Sequence, residues 1–350
     1  MASGRRWHWL TIGLAAVIAA VAIGFVWRQL GRYSLEDVAS SVASVPPHHV
    51  AGAVFFAAMS YLTLTLFDTL GVRYAGWPDI PYPRIAVASF CALSIGHNLG
   101  FAALSTGALR LRFYTRLGLG VGDVARVILF CATTVGLGIL ALAAAVLLGA
   151  APPESVGLES GAALVLGAAC AVLLALYVVA AMVLKVPLRI GGWLIPVPSP
   201  RLALQQIGIG FANFAFVAAC LWQAITASTG ASYLEVVIAY VIALLAALLS
   251  HVPGGLGVIE AVVLLILPGA DAIGGLVLFR VVYFLLPLVL GATLLGVTEV
   301  YAVRSRRRGG SLNGGGGSRA GGTGIGFGGS STGGGSSGSR GGGTGGVVGG

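Results

Sequence analysis

Four charged residues stand where this sequence is otherwise apolar: Asp68 in YLTLTLFDTLGVRY, Arg112 in GALRLRFYTRLGL, Glu260 in HVPGGLGVIEAVVLLIL and Arg280 in GGLVLFRVVYFLLP. On insertion scales an ionised Asp, Lys or Arg at the centre of a membrane helix costs about 2.5–3.5 kcal/mol, so such groups are paired or functional. A carboxylate attracts an amine, and a guanidinium fork suits a phosphate. Glu260 and Arg280 are the obvious partners, either as a headgroup-binding pair or as a bridge that only holds two helices together. Asp68 has Arg73 about a turn later, which leaves an ordinary surface pair as the alternative to a functional carboxylate. Arg110, Arg112 and Arg116 read as a basic loop, suited equally to a phosphate and to an anionic leaflet.

Two stretches break the backbone, SIGHNLGFAAL (94–104) and LLSHVPGGLGV (248–258). Pro253 has no N–H, and Gly254, Gly255 and Gly257 admit backbone angles closed to other residues, so the helix opens there. Freed backbone groups in hydrocarbon cost several kcal/mol each unless protein or water satisfies them, which favours a water-lined cavity over a kink between packed helices. His97 and His251 occupy the two breaks, where each can hydrogen-bond freed carbonyls or relay protons. With no HExxH and no third spaced ligand, no metal is expected, and no Walker A sequence or other cofactor motif is present. No activated nucleophile is visible either, so the chain does not read as an enzyme.

The elements that must position these groups are helices in a membrane. Hydrophobic residues make up 57% of the 350, charged residues 9%, and the mean hydropathy is +0.96, too little charge to solvate a soluble globule of this size. Apolar stretches of helical length lie near 10–27, 50–72, 84–105, 124–149, 160–184, 202–228 and 272–300, with 234–250 and 254–268 as two shorter pieces. Counting each as a crossing would put Arg304, Arg306, Arg307 and Arg308 outside, against the positive-inside rule. The conflict disappears if two segments, 84–105 and 254–268, enter and leave by one side.

The reading is therefore an all-α integral membrane protein with about six crossing helices, two re-entrant or broken hairpins, an inverted repeat and a disordered Gly/Ser-rich C-terminal tail. Residues 1–49 form a signal-anchor helix and external loop, 50–303 the transmembrane domain, and 304–350 a basic then Gly/Ser-rich cytoplasmic tail. Both termini face the cytoplasm of a bacterial inner membrane; Arg28 and Arg32 are the one dissent. Cys91, Cys131, Cys170 and Cys220 lie in apolar segments without CxxC spacing and read as small packers. The charge of +9 is mostly arginine at membrane edges, without aromatic interleaving, and speaks for lipid headgroups rather than nucleic acid.

LFDTLGVRYAG (66–76), GHNLGFAALSTGALRLRFYTRLGL (96–119) and SHVPGGLGVIEAVVL (250–264) resemble the transmembrane flippase domain of the bacterial multiple peptide resistance factor, a lysylphosphatidylglycerol synthase and flippase. The likeness spans roughly residues 50–303. It implies movement of an aminoacylated or related phospholipid from inner to outer leaflet, which lowers the surface charge met by cationic peptides. Asp68 would match the family's FD acid, Arg112 its loop arginine, Glu260 the acid after the Pro-Gly-Gly break, and Arg280 a later arginine. Where bifunctional members continue into a soluble aminoacyl-transfer domain, this chain has a Gly/Ser tail, so lipid synthesis is not implied. Phospholipid substrate and membrane lipids are the expected partners; a separately encoded synthase and a second copy of the chain stay open. The rival readings are an ion-coupled small-solute transporter and a membrane anchor for a lipid-modifying enzyme.

Overall fold

The computed structural model describes residues 43, 45–98, 102–149, 156, 159–184, 188–190, 193–195, 197–250, 255–267 and 272–313. The expected helix at 10–27, His251, Pro253, Gly254 and the tail beyond 313 lie outside them. Among the described residues the chain is all-α apart from one short ribbon. Its helices are α1 (Pro47–Tyr74), α2 (Tyr82–Gly96), α3 (Ala102–Arg116), α4 (Val121–Gly149), α5 (Ser160–Val183), α6 (Pro200–Thr229), α7 (Tyr233–Ser250), α8 (Val258–Ile266), α9 (Ala272–Arg280) and α10 (Leu286–Asn313). An antiparallel ribbon, β1 (Leu188–Ile190) with β2 (Trp193–Ile195), lies between α5 and α6. Among the described residues six helical segments are long and apolar enough to cross a bilayer: 47–74, 121–149, 160–183, 200–229, 233–250 and 272–300.

That six differs from the six read in the sequence. The segment at 10–27 is outside the described residues, and α7, left out of the spanning stretches there, is itself 18 residues long, about 27 Å. Residues 84–105 do divide. Helices α2 and α3, of 15 residues each, rise about 22 Å apiece, short of a core of roughly 30 Å, and pack on one another across the break. Helix α8 has only 9 residues and packs on α7 in the same manner. Residues 47–149 thus run long helix, paired helices, long helix, residues 200–300 repeat that order with α5 standing between the two, and the long helices that begin them, α1 and α6, pack on each other.

Two corrections concern helix α3 and the start of the tail. Arg110, Arg112 and Arg116 are on helix α3, not in a loop. The sequence carries the reason: Leu109, Arg110, Phe113 and Tyr114 recur at helical spacing and are buried together, which a count of charges alone hides. The stretch 309–313, read as the start of the disordered tail, continues helix α10.

Small residues set one of the closest helix contacts. A Cβ on Gly138 of α4 would lie 2.5 Å from the carbonyl carbon of Gly210 on α6, so the two backbones touch. Close approach of this kind is how membrane helices gain packing without a hydrophobic drive between them. Beside it Gln206 donates to Thr134 Oγ1 (3.0 Å) and accepts from Tyr177 (2.6 Å), tying α4, α5 and α6. Gly138→Ala is expected to force the helices apart and cost about 1–3 kcal/mol, as overpacking does. Gly136→Ala, whose Cβ meets nothing within 4 Å, should change the unfolding midpoint in detergent little; equal losses for both would refute the close-contact account.

Candidate functional site

The π-helical segment Val281–Leu285 joins α9 to α10 and lies at the centre of the polar interior. Its cause is local. Pro287 has no N–H to give to Tyr283, four residues back, and its ring crowds that carbonyl, so the helix widens. The exposed carbonyls find side-chain donors from elsewhere in the fold: Tyr61 of α1 donates to Tyr283 O (3.3 Å) and Asn98, at the first break, donates to Phe284 O (3.2 Å). The Tyr283 hydroxyl meets Ser60 (3.1 Å), and Ser60 and Thr63 both donate to Asn213 Oδ1 (2.8 and 2.9 Å). Hydroxyls and amides of α1, α6 and the wide turn are thereby buried together near the middle of three spanning helices, where each unmet group would be costly.

Glu260 and Arg280 flank this centre. Gly255 (φ +59°) and Gly257 (φ +77°) take left-handed angles that only glycine adopts without strain, which lets the chain enter α8 after the second break. Glu260, in the first turn of α8, accepts from Gly257 N (2.9 Å) and so caps the helix. Arg280, the last residue of α9, meets both Glu260 oxygens through Nε and Nη2, and Nη2 also donates to Gly255 O (2.8 Å). Its guanidinium carbon stands 4.7 Å from the Phe284 ring centre, a cation–π contact. The pair expected from sequence is therefore formed, and it closes the second break onto the last spanning helix. The arginine side chain is 7% exposed and the carboxylate 19%, so one edge of the pair can be reached.

Asp68 has a different partner from the one its sequence neighbourhood suggests. It is fully buried, and its two oxygens accept from Arg110 Nε and Nη2 (2.8 Å each), Tyr114 (2.8 Å) and Ser89 (2.7 Å). Arg110 and Tyr114, four residues apart, project from one face of α3, and Ser89 comes from α2. The first hairpin is thus fastened to α1 by a carboxylate whose acceptor sites are filled. Arg73, beyond it on α1, is not its partner.

Arg112 is not in this cluster. One turn of α3 carries it and Arg116 to Glu299 on α10, a residue the sequence reading missed because it lies at the end of an apolar run without a break beside it. Arg112 Nη2 is 2.8 Å from Glu299, and Arg116 bonds the same carboxylate at 2.7 and 3.2 Å. His97 caps α2 at the first break and is half-buried. Cys91, Cys131, Cys170 and Cys220 are all buried free thiols.

No family model matches the chain. It is 27% identical over 301 residues to the uncharacterized protein slr0712 of Synechocystis sp., covering 84% of this chain and 93% of that one. It is also 26% identical over 291 residues to the inner membrane protein YbhN of Escherichia coli, covering 81% and 86%. Likeness along nearly the whole length to a membrane protein, together with six spanning-length helices, makes this a multi-pass membrane protein.

Proposed function

We propose that the protein moves a phospholipid headgroup from the inner to the outer leaflet of the bacterial cytoplasmic membrane, with an aminoacylated lipid such as lysyl-phosphatidylglycerol as the cargo that best fits the charges. The observation that carries this is the Glu260–Arg280 pair: opposite charges, partly reachable, held at a backbone break inside an apolar protein. Intramembrane ion pairs beside broken helices are what carriers of charged cargo use. An amine and a phosphate on one headgroup can replace each partner for the other, so neither charge is left unpaired while the acyl chains stay in lipid. Asp68, whose acceptors are filled by four donors, serves in this reading as scaffold rather than as a headgroup ligand.

The name of the Escherichia coli relative supports an inner-membrane placement, and the positive-inside rule favours a cytoplasmic side for the arginines at the C-terminal end of α3. A lipid with net charge +1 leaving against 100 mV, inside negative, meets about 2.3 kcal/mol, roughly fiftyfold in distribution. Net export then needs steady supply on the inner leaflet or an inward ion. An ion-coupled transporter of small solutes would use the same pair, and an anchor for a separate enzyme would not use it at all. In liposomes containing the purified protein, headgroup-labelled lipid should cross between leaflets, and Glu260→Gln should slow it at least about tenfold, the loss of one charge-assisted contact. Transport undiminished in that variant removes the pair from the mechanism.

A further inference from the structure

The arginines of α3 hold a second charged cluster whose chemistry is incomplete. Arg112 has a side chain only 8% exposed, yet its Nε and Nη1 have no hydrogen-bond partner; Nη2 alone is engaged, by Glu299. A buried guanidinium carries donors on three nitrogens, and leaving two of them unmet costs free energy unless an acceptor arrives. Glu299 leaves them unmet: its Oε1 is shared by Arg112 Nη2 and Arg116, and its Oε2 faces Arg116. The cluster opens by degrees, from Arg116 at 39% exposed through Glu299 at 27% to Arg112 at the back. It carries two positive charges and one negative.

We propose that Arg112, Arg116 and Glu299 form an oxyanion site for a phosphate group, in which Glu299 is a built-in competitor. Entry past Arg116 brings a phosphate to one edge of the Arg112 guanidinium, where a donor without a partner, Nε or Nη1, stands beside Nη2. The non-bridging oxygens of a phosphate, two of them even in a diester, can meet neighbouring guanidinium donors side by side. As the phosphate takes over the arginines, their hold on Glu299 weakens, and with it the contact between the end of α3 and α10. The first hairpin and the last spanning helix are thus joined by a link that an anion can loosen. This deepens the reading above by adding a second headgroup-phosphate site at the cytoplasmic side. It depends on that reading for orientation, not for transport.

The site is tested by binding, so its failure and the failure of lipid movement are separate results. The full chain in neutral detergent is titrated with inorganic phosphate, with chloride at matched ionic strength as reference, and unfolding temperature is read. In parallel, nanodiscs of zwitterionic phosphatidylcholine with and without phosphatidylglycerol test a lipid phosphodiester that no choline neutralises. Stabilisation by either source is expected, and which source gives it tells whether a free or a lipid phosphate occupies the site. Arg112→Gln should abolish the response. Arg112→Lys, which keeps the charge but not Nε and Nη1, should weaken it about tenfold. Glu299→Gln should shift the response to lower phosphate by about tenfold, because the competing carboxylate is gone. A purely structural ion pair predicts no opposite signs for Arg112 and Glu299. No response from either source beyond chloride, or equal responses in all four proteins, overturns the proposal.

Discussion

Asp68→Asn is expected to cost about 3–5 kcal/mol of folding stability, the largest loss of any single side-chain change in the chain. The substitution keeps size and shape but leaves Arg110 charged and buried, with its Nε and Nη2 facing a neutral amide. Tyr114 and Ser89 would still reach the remaining carbonyl oxygen only in part. Since the four donors come from α2 and α3, the damage should show as early loosening of the first hairpin, read by hydrogen exchange over 82–116. Removing both charges, as Asp68→Leu with Arg110→Met, should recover most of the loss, because the cost lies in an unpaired charge and not in the missing bond itself. Equal destabilisation in the single and double variants would show that packing, not charge, governs the site.

Arg280→Lys should have the second-largest effect, and on transport more than on stability. A lysine ammonium can meet one Glu260 oxygen, but it cannot reproduce the side-on fork and reach Gly255 O together. The second break loses its tie to the last spanning helix, and Glu260 keeps a partner of less defined direction. Lipid movement in liposomes should fall at least about tenfold, while the unfolding midpoint shifts by less than in Asp68→Asn. Combining Arg280→Met with Glu260→Gln should then be no worse than the poorer single variant, since both act through one contact. Additive losses would mean that the two residues serve separate steps.

These two pairs also show how far the sequence could be read. Glu260 and Arg280 were legible because each interrupts a long apolar run, the cost of an unpaired charge there is high, and only a short loop separates their helices. The Asp68 partner was not legible from Asp68: Arg73 lies near it in the chain, whereas Arg110 reaches it only once α3 folds back along α2. The signal was present in Leu109, Phe113 and Tyr114, which mark the inner face of a helix that also contains Arg110. Gly255 and Gly257 announced their positive φ angles, but the sequence could not say how long α7 would run before the break. Ser60, Asn213 and Tyr283 gave least warning of all. A hydroxyl or amide in a spanning helix is common, and only the crossing of α1, α6 and the wide turn makes those three neighbours.

The wide turn at Val281–Leu285 has a geometrical result for the residues on either side of it. Such a turn takes in one residue more than an α turn, and each residue of an α-helix advances the chain about 1.5 Å and swings it about 100°. Beyond Leu286 the helix is therefore out of phase with the stretch ending at Arg280 by roughly a quarter of a revolution. Over the nineteen residues from Arg280 to Glu299 that lost step turns about 1,900° into about 1,800°, five whole revolutions, so the two charged groups stand on one side of the rod and address different hairpins through their separation of about 28 Å along it.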